Sequence, residues 1–197
     1  ILLEKRGRVL VEYYALFRKS MAMNRVSVLL AILFGLASAG VYFLDLHIPV
    51  GGGLLLEPSE IFVTLGSALC GPTGGLIIGF LQGIVYAPDR NIPAHMFAAF
   101  LWGLWYAFFW NWSLKMPYPK ISRIIVWTLT VPLYYYVLLL PLHVFIYASY
   151  TLDAPFLSTY LVVASEVVPE MIGTIIATDI ILIILLERYS APVNLHD

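Results

Sequence analysis

The chain has 197 residues and a formal net charge of −1, with 61% hydrophobic and only 12% charged residues; its mean hydropathy is +0.88. Soluble domains carry about twice that charge, so a soluble class is excluded, and the near-neutral balance gives no footprint for nucleic acid. One cysteine, Cys70, allows no intrachain disulfide.

Residues 1–25 read as a basic, amphipathic lead-in. Lys5, Arg6, Arg8, Arg18, Lys19 and Arg25 interleave with Leu10, Tyr13, Leu16 and Phe17. Such a segment lies on the cytoplasmic membrane surface or serves as a docking arm. Residues 26–188 read as one membrane domain, and 189–197 as a cytoplasmic tail. The expected class is an all-α polytopic membrane protein, a six-transmembrane-helix bundle in the plasma membrane.

The first helix is expected over about Val26 to Leu46, with Ala31, Gly35 and Ala39 at four-residue spacing. That stripe serves either packing inside the bundle or docking of a partner membrane protein. A loop, His47–Pro58, follows; its Gly51-Gly52-Gly53 run makes it a candidate lid. The next apolar run is split by Gly71-Pro72-Thr73-Gly74-Gly75. Gly and Pro there break a helix and permit a tight turn. The second helix is therefore expected over Ser59–Cys70 and the third over Gly74–Ala87. On the third, Gly75, Gly79 and Gly83 recur every fourth residue, a bare face for close backbone contact.

The fourth helix is expected to start after Pro93 and run to about Trp112, with Trp105, Trp110 and Trp112 as an interfacial aromatic belt. The fifth spans about Ser122 to Tyr147. The sixth begins between Pro155 and Ala164 and ends near Leu186, with Phe156–Val163 expected along the outer interface. With both termini cytoplasmic, only Arg90 of the eleven basic residues falls outside.

Ionisable groups at membrane depth are costly and mark functional candidates. Glu60, Glu166, Glu170 and Asp179 qualify. Glu166 and Glu170, four apart, would stack on one face of the sixth helix and repel each other. A cationic or hydrogen-donating ligand would relieve that cost. Asp179 points to the opposite face and suits a helix–helix hydrogen bond. Polar groups at similar depth on other helices converge: Gln82, Asn91 and His95, and the pair Tyr136 and His143, seven apart and so on one face. Together with Glu166 and Glu170 they form the expected substrate-binding set, open to the outside. His95, His143, Glu166 and Glu170 are also ligand types for a metal, but no HxxxH or ExxH spacing supports one, and none is expected. No Walker A, HExxH or GxSxG sequence is present, so neither an enzyme nor a cofactor is expected.

These features together resemble the S components, the substrate-binding subunits of energy-coupling factor (ECF) vitamin transporters. The resemblance covers about Val26 to Arg188. It rests on six helices with both ends inside, the small-residue stripe on the first, the long outer loop, and the Gly-Pro-x-Gly-Gly turn before a Gly-striped third helix. It implies substrate held near the outer side, between the loops and helices four to six. It also implies that Ala31, Gly35 and Ala39 dock a transmembrane T component, and that two partner ATPase subunits power transport. Sensory membrane domains of some histidine kinases, and the rod-shape protein MreD, show a similar pattern. A sensory or scaffold module that binds without transporting is therefore the other expectation.

Overall fold

The structure is a computed structural model, and it describes residues 14–51, 54–113, 119–147 and 155–181. Most of the basic lead-in and the expected tail lie outside the described residues. Helix α1 spans Arg25–Phe43; the Asn24 side chain caps it by accepting a hydrogen bond from the Ser27 amide at 2.8 Å. Two short antiparallel strands follow, β1 (Ile48–Gly51) and β2 (Leu54–Leu56), with Ile48 opposite Leu56. The expected irregular loop thus carries a β-hairpin; Gly52 and Gly53 lie outside the described residues.

The next helical stretch, α2 (Ser59–Gly83), changes direction partway along. At Gly71 the backbone takes φ 73° and ψ −176°, a region glycine enters without a Cβ clash. The Gln82 amide donates to Ser59 Oγ at 3.3 Å and to Glu60 Oε1 at 3.2 Å. A straight helix would hold positions 59 and 82 about 35 Å apart, so α2 is a helical hairpin with its elbow at Gly71. Its arms are residues 59–70 and 72–83, each rising about 18 Å. The expected split of this run is what the chain does.

Helix α3 (Pro88–Ser113) starts earlier than the expected Pro93. It runs antiparallel to the second arm at backbone contact distance. A Cβ on Gly75 would collide with the Ala99 carbonyl, one on Gly79 with the His95 carbonyl, and one on Gly83 with Ile92. A Cβ on Gly103 would meet Pro72 N at 2.5 Å. Each step of four on the arm is matched by a step of three or four on α3, so the glycine stripe is spent on this seam.

Helix α4 (Pro119–Leu133) leads into a π-helical segment, Tyr134–Leu139, and then α5 (Leu140–Tyr147). Pro141 explains the π turn. It offers no N–H, and its ring crowds the preceding turn. The chain widens instead, and the Leu140 amide donates to the Tyr135 carbonyl, five residues back. The carbonyl that Pro141 would serve in a π pattern, that of Tyr136, accepts from the Tyr160 hydroxyl at 2.8 Å. Tyr160 belongs to α6 (Phe156–Glu166), which is followed by α7 (Val168–Thr178). The two meet at a 50° bend around Val167. Pro169 sits in the first turn of α7, where its missing N–H has no helical acceptor to serve.

Among the described residues, four helices are long and apolar enough to cross a membrane, or five if the bent pair α6–α7 is one span. Large apolar side chains such as Leu29, Leu33, Leu36, Leu129 and Ile176 are more than half exposed. Apolar outer surfaces on apolar helices are the make-up of a helical membrane protein.

The core is aromatic. Trp102 stacks on Tyr134 at 3.8 Å between ring centroids, and Trp127, Tyr106 and Phe109 close around them. Trp110 is also buried, under the Arg123 guanidinium at 4.2 Å, and Trp105 packs against this core. The expected belt therefore reduces to the exposed Trp112.

Candidate functional site

At the end of the bundle away from the Gly71 elbow lies a cavity of about 350 Å³. Six helices, the π segment and the end of the β-hairpin supply its wall. Tyr42 comes from the last turn of α1, Glu57 from just beyond β2, and Glu60 from the first turn of α2. His95 comes from α3, and Leu139, Leu140, His143 and Val144 from the π segment and α5. Thr159, Val163 and Val167 come from α6 and its end, and Glu170 from α7.

Each carboxylate is held by a neutral donor. Ser59 Oγ donates to Glu57, the Gln82 amide to Glu60, and the Tyr135 hydroxyl to Glu170 at 3.2 Å. Tyr135 is itself steadied by Thr174 Oγ1 at 3.2 Å. The imidazoles of His95 and His143 meet edge to face at 5.5 Å, and Tyr42 meets His95 at 5.7 Å. The lining thus joins three carboxylates, two imidazoles and a phenol to an aliphatic wall. Among the described residues, no lysine or arginine lines the cavity.

Of the expected binding set, His95, His143 and Glu170 meet in this cavity. The other four are placed elsewhere, for identifiable reasons. Glu166 is exposed, because the bend at Val167 separates it from Glu170 and removes the expected stacking. Tyr136 turns toward α6, where its hydroxyl donates to the Ala164 carbonyl at 3.3 Å. Its expected face shared with His143 assumed an α-helical repeat; the π turn between them rotates the two by about a quarter turn. Asn91 braces the turn before α3 by donating to the Tyr86 carbonyl and, at 3.4 Å, to the Tyr42 hydroxyl. Gln82 closes the mouth of the α2 hairpin and stands behind Glu60.

Tyr42 and Glu57 were not among the expected ligands. Glu60 was recognisable as a carboxylate at membrane depth, but its place beside Glu170 depends on the reversal at Gly71. Asp179 accepts a hydrogen bond from Thr128 at 2.9 Å, between α4 and the end of α7, as its position on the opposite face suggests.

The α1 stripe faces inward. Ala31 is fully buried, and a Cβ on Gly35 would lie 2.6 Å from Leu81 Cδ1 and 3.2 Å from Ile78 Cα. Ala39 is half-buried. Of the two expectations for this stripe, packing inside the bundle accounts for Ala31 and Gly35, and the docking role is not retained for them. Among the described residues, no group of three His, Cys, Asp or Glu could hold a metal ion. No protein-family model, curated protein or solved structure matches the chain.

Proposed function

We propose that the chain is the membrane-embedded substrate-binding subunit of an ECF-type transporter, with ATP hydrolysis on partner subunits. The substrate is a vitamin or similar small molecule. The observation that carries this reading is the cavity of about 350 Å³ at one end of the bundle, lined by ionisable groups from separate helices. Cavities of this size and lining suit small-molecule ligands.

Basic residues supply the orientation. Among the described residues, Arg18, Lys19, Arg25 and Arg123 belong to the elbow end, and Arg90 alone belongs to the cavity end. On the positive-inside rule the cavity then opens outward. Counting α1, the two arms of α2, α3, α4–α5 and α6–α7 as passes gives six, with both termini cytoplasmic. The partners in this reading are a transmembrane T component and two ATPase subunits. Their docking surface lies elsewhere than on Ala31 and Gly35.

The experiment is co-expression with the T component and paired ATPases of the same genome. Co-purification of the four subunits, with ATP-dependent accumulation of a solute, is the expected result. Orientation is tested separately, by labelling cysteines placed at Asp89 and at Lys19 in intact cells. Label at Lys19 and none at Asp89 would reverse the proposed topology.

The second reading is a membrane sensory or scaffold module that binds without transporting. The inward-facing stripe on α1 favours it, because one expected docking surface is spent inside the chain. Solute binding with no partner ATPase would support it.

A further inference from the structure

We propose that the cavity selects a small organic cation: a protonated amine or quaternary nitrogen carried on an apolar or aromatic body. The inference rests on the small-molecule reading of the same cavity and names the chemical class of its ligand.

Three carboxylates reach the cavity from three separate elements, Glu57 after β2, Glu60 on α2 and Glu170 on α7. Each uses Oε1 to accept from a neutral donor. Such donors fix a carboxylate in place without cancelling its charge. The second oxygen of each accepts no hydrogen bond from the described residues, and among those residues no lysine or arginine lines the cavity. Arg90, the basic residue of this end, lies 3.5 Å from Asp89 instead.

A second observation points to a ligand independently of the carboxylates. His95 is only 7% exposed and lines the cavity. Its ring makes edge contacts with Tyr42 and His143, but no hydrogen bond with any described residue. A buried imidazole normally spends its donor and its acceptor. Here both remain available to whatever fills the cavity.

The shape of the site decides what kind of cation. Among the described residues no three ligating groups converge on one point, so the negative charge surrounds a chamber and is not focused on a bare ion. Leu140, Val144 and Val163 supply an apolar wall, and the Tyr42 ring lines the same cavity as the carboxylates. An organic cation satisfies both sides: its nitrogen meets the carboxylates, with the Tyr42 ring as a further cation contact, and its body covers the aliphatic wall.

The test uses the purified full chain in detergent and matched ligand triplets built on one ring. Benzyltrimethylammonium is compared with benzyl alcohol and phenylacetate, and tryptamine with 3-methylindole and indole-3-acetate. Binding is read by thermal shift and calorimetry. The cation of at least one triplet should bind at least about tenfold more tightly than its neutral and anionic partners. Glu60→Gln and Glu170→Gln should each remove about tenfold or more of that affinity, and Glu166→Gln should leave it unchanged. Equal or better binding of the neutral or anionic members overturns the proposal. So does the absence of any shift with both cations, or an equal loss in Glu166→Gln. The wild-type ranking decides the matter even if a Gln variant fails to fold. Cation binding without ATP-driven uptake leaves this inference standing and removes the transport reading; uptake of an anion does the reverse.

Discussion

Along the seam between α2 and α3, backbone meets backbone at every fourth residue. Along the wall made by α5, α6 and α7, helices are interrupted at Tyr134–Leu139 and again at Val167, and a chamber is left open. The seam is built from glycines, because only a missing Cβ lets two helices approach that closely. The wall is built around Pro141 and Pro169, because a proline stops a helix from continuing straight. The difference separates two tasks. The seam fixes Glu60 and His95 on one side of the cavity. The interrupted wall carries His143 and Glu170 on the other side, where local backbone geometry has to be made good by side chains such as Tyr160.

The comparison is broken most severely at the seam. Gly79→Val places a branched side chain against the His95 carbonyl and the Met96 backbone. Overpacking against movable side chains typically costs about 1–3 kcal/mol, and here the obstacle is backbone. The expected outcome is loss of monodisperse folded protein on size exclusion in detergent. A Gly79→Val protein that melts near wild type would mean the seam is looser than the glycine register implies.

A smaller effect is expected on α1. Gly35→Leu meets the end of the Leu81 side chain first and the Ile78 Cα next, so part of the clash can be relieved. A destabilisation of about 1–3 kcal/mol is expected, read as a lower melting temperature. Gly40→Ala in the same helix is the matched comparison. Nothing lies within 4 Å of its added Cβ, so it should be neutral or stabilising by up to about 1 kcal/mol. If Gly35→Leu melts like wild type yet loses partner binding, the stripe is a docking face after all.

How much of this was legible in the sequence follows the same division. The seam was readable: Gly71-Pro72 announced a reversal, and the four-residue glycine repeat announced close contact, because both signals are local. The wall was readable only where the helix stayed regular. His95, His143 and Glu170 were found from their type and depth. Tyr136 was misplaced because spacing arguments assume 3.6 residues per turn, and the π turn before Pro141 breaks that assumption. Glu166 was misplaced because the stacking with Glu170 assumes one continuous sixth helix, whereas one helix ends at Glu166 and another starts at Val168. Glu57 and Tyr42 carry no periodic signal. They enter the site through the β-hairpin and the contact of the last turn of α1 with His95 and Asn91, which no single helix pattern encodes.

At the wall, Tyr160→Phe should cost about 1 kcal/mol. It removes the 2.8 Å hydrogen bond to the Tyr136 carbonyl, whose usual donor is lost to Pro141. The ring remains, so packing against Phe156 at 6.1 Å should persist. Hydrogen exchange should rise over residues 134–144 and stay unchanged in the α2–α3 seam. Equal protection in both regions would show that Tyr160 does not latch the wall.

The smallest effect is expected from Asp179→Asn, which tests where the wall stops mattering for the ligand. Asp179 lies beyond the cavity, bonded to Thr128 across the α4 contact. Asparagine keeps a carbonyl oxygen for that hydroxyl and has the same shape, so the helix pairing survives. Its amide can also turn toward the position of Oδ1, which has no hydrogen-bond partner. Affinity for a cavity ligand should therefore change by less than about twofold. Glu170→Gln, by contrast, removes a charged hydrogen-bond acceptor inside the cavity, and such bonds are worth about 1.5–3 kcal/mol, or roughly ten- to a hundredfold in affinity. Both variants are isosteric, so a direct comparison by calorimetry separates charge at the site from charge in the membrane generally. If Asp179→Asn weakens binding and Glu170→Gln does not, the ligand sits on the opposite side of α7, and the cavity lined by Glu60, His95 and His143 is not its site.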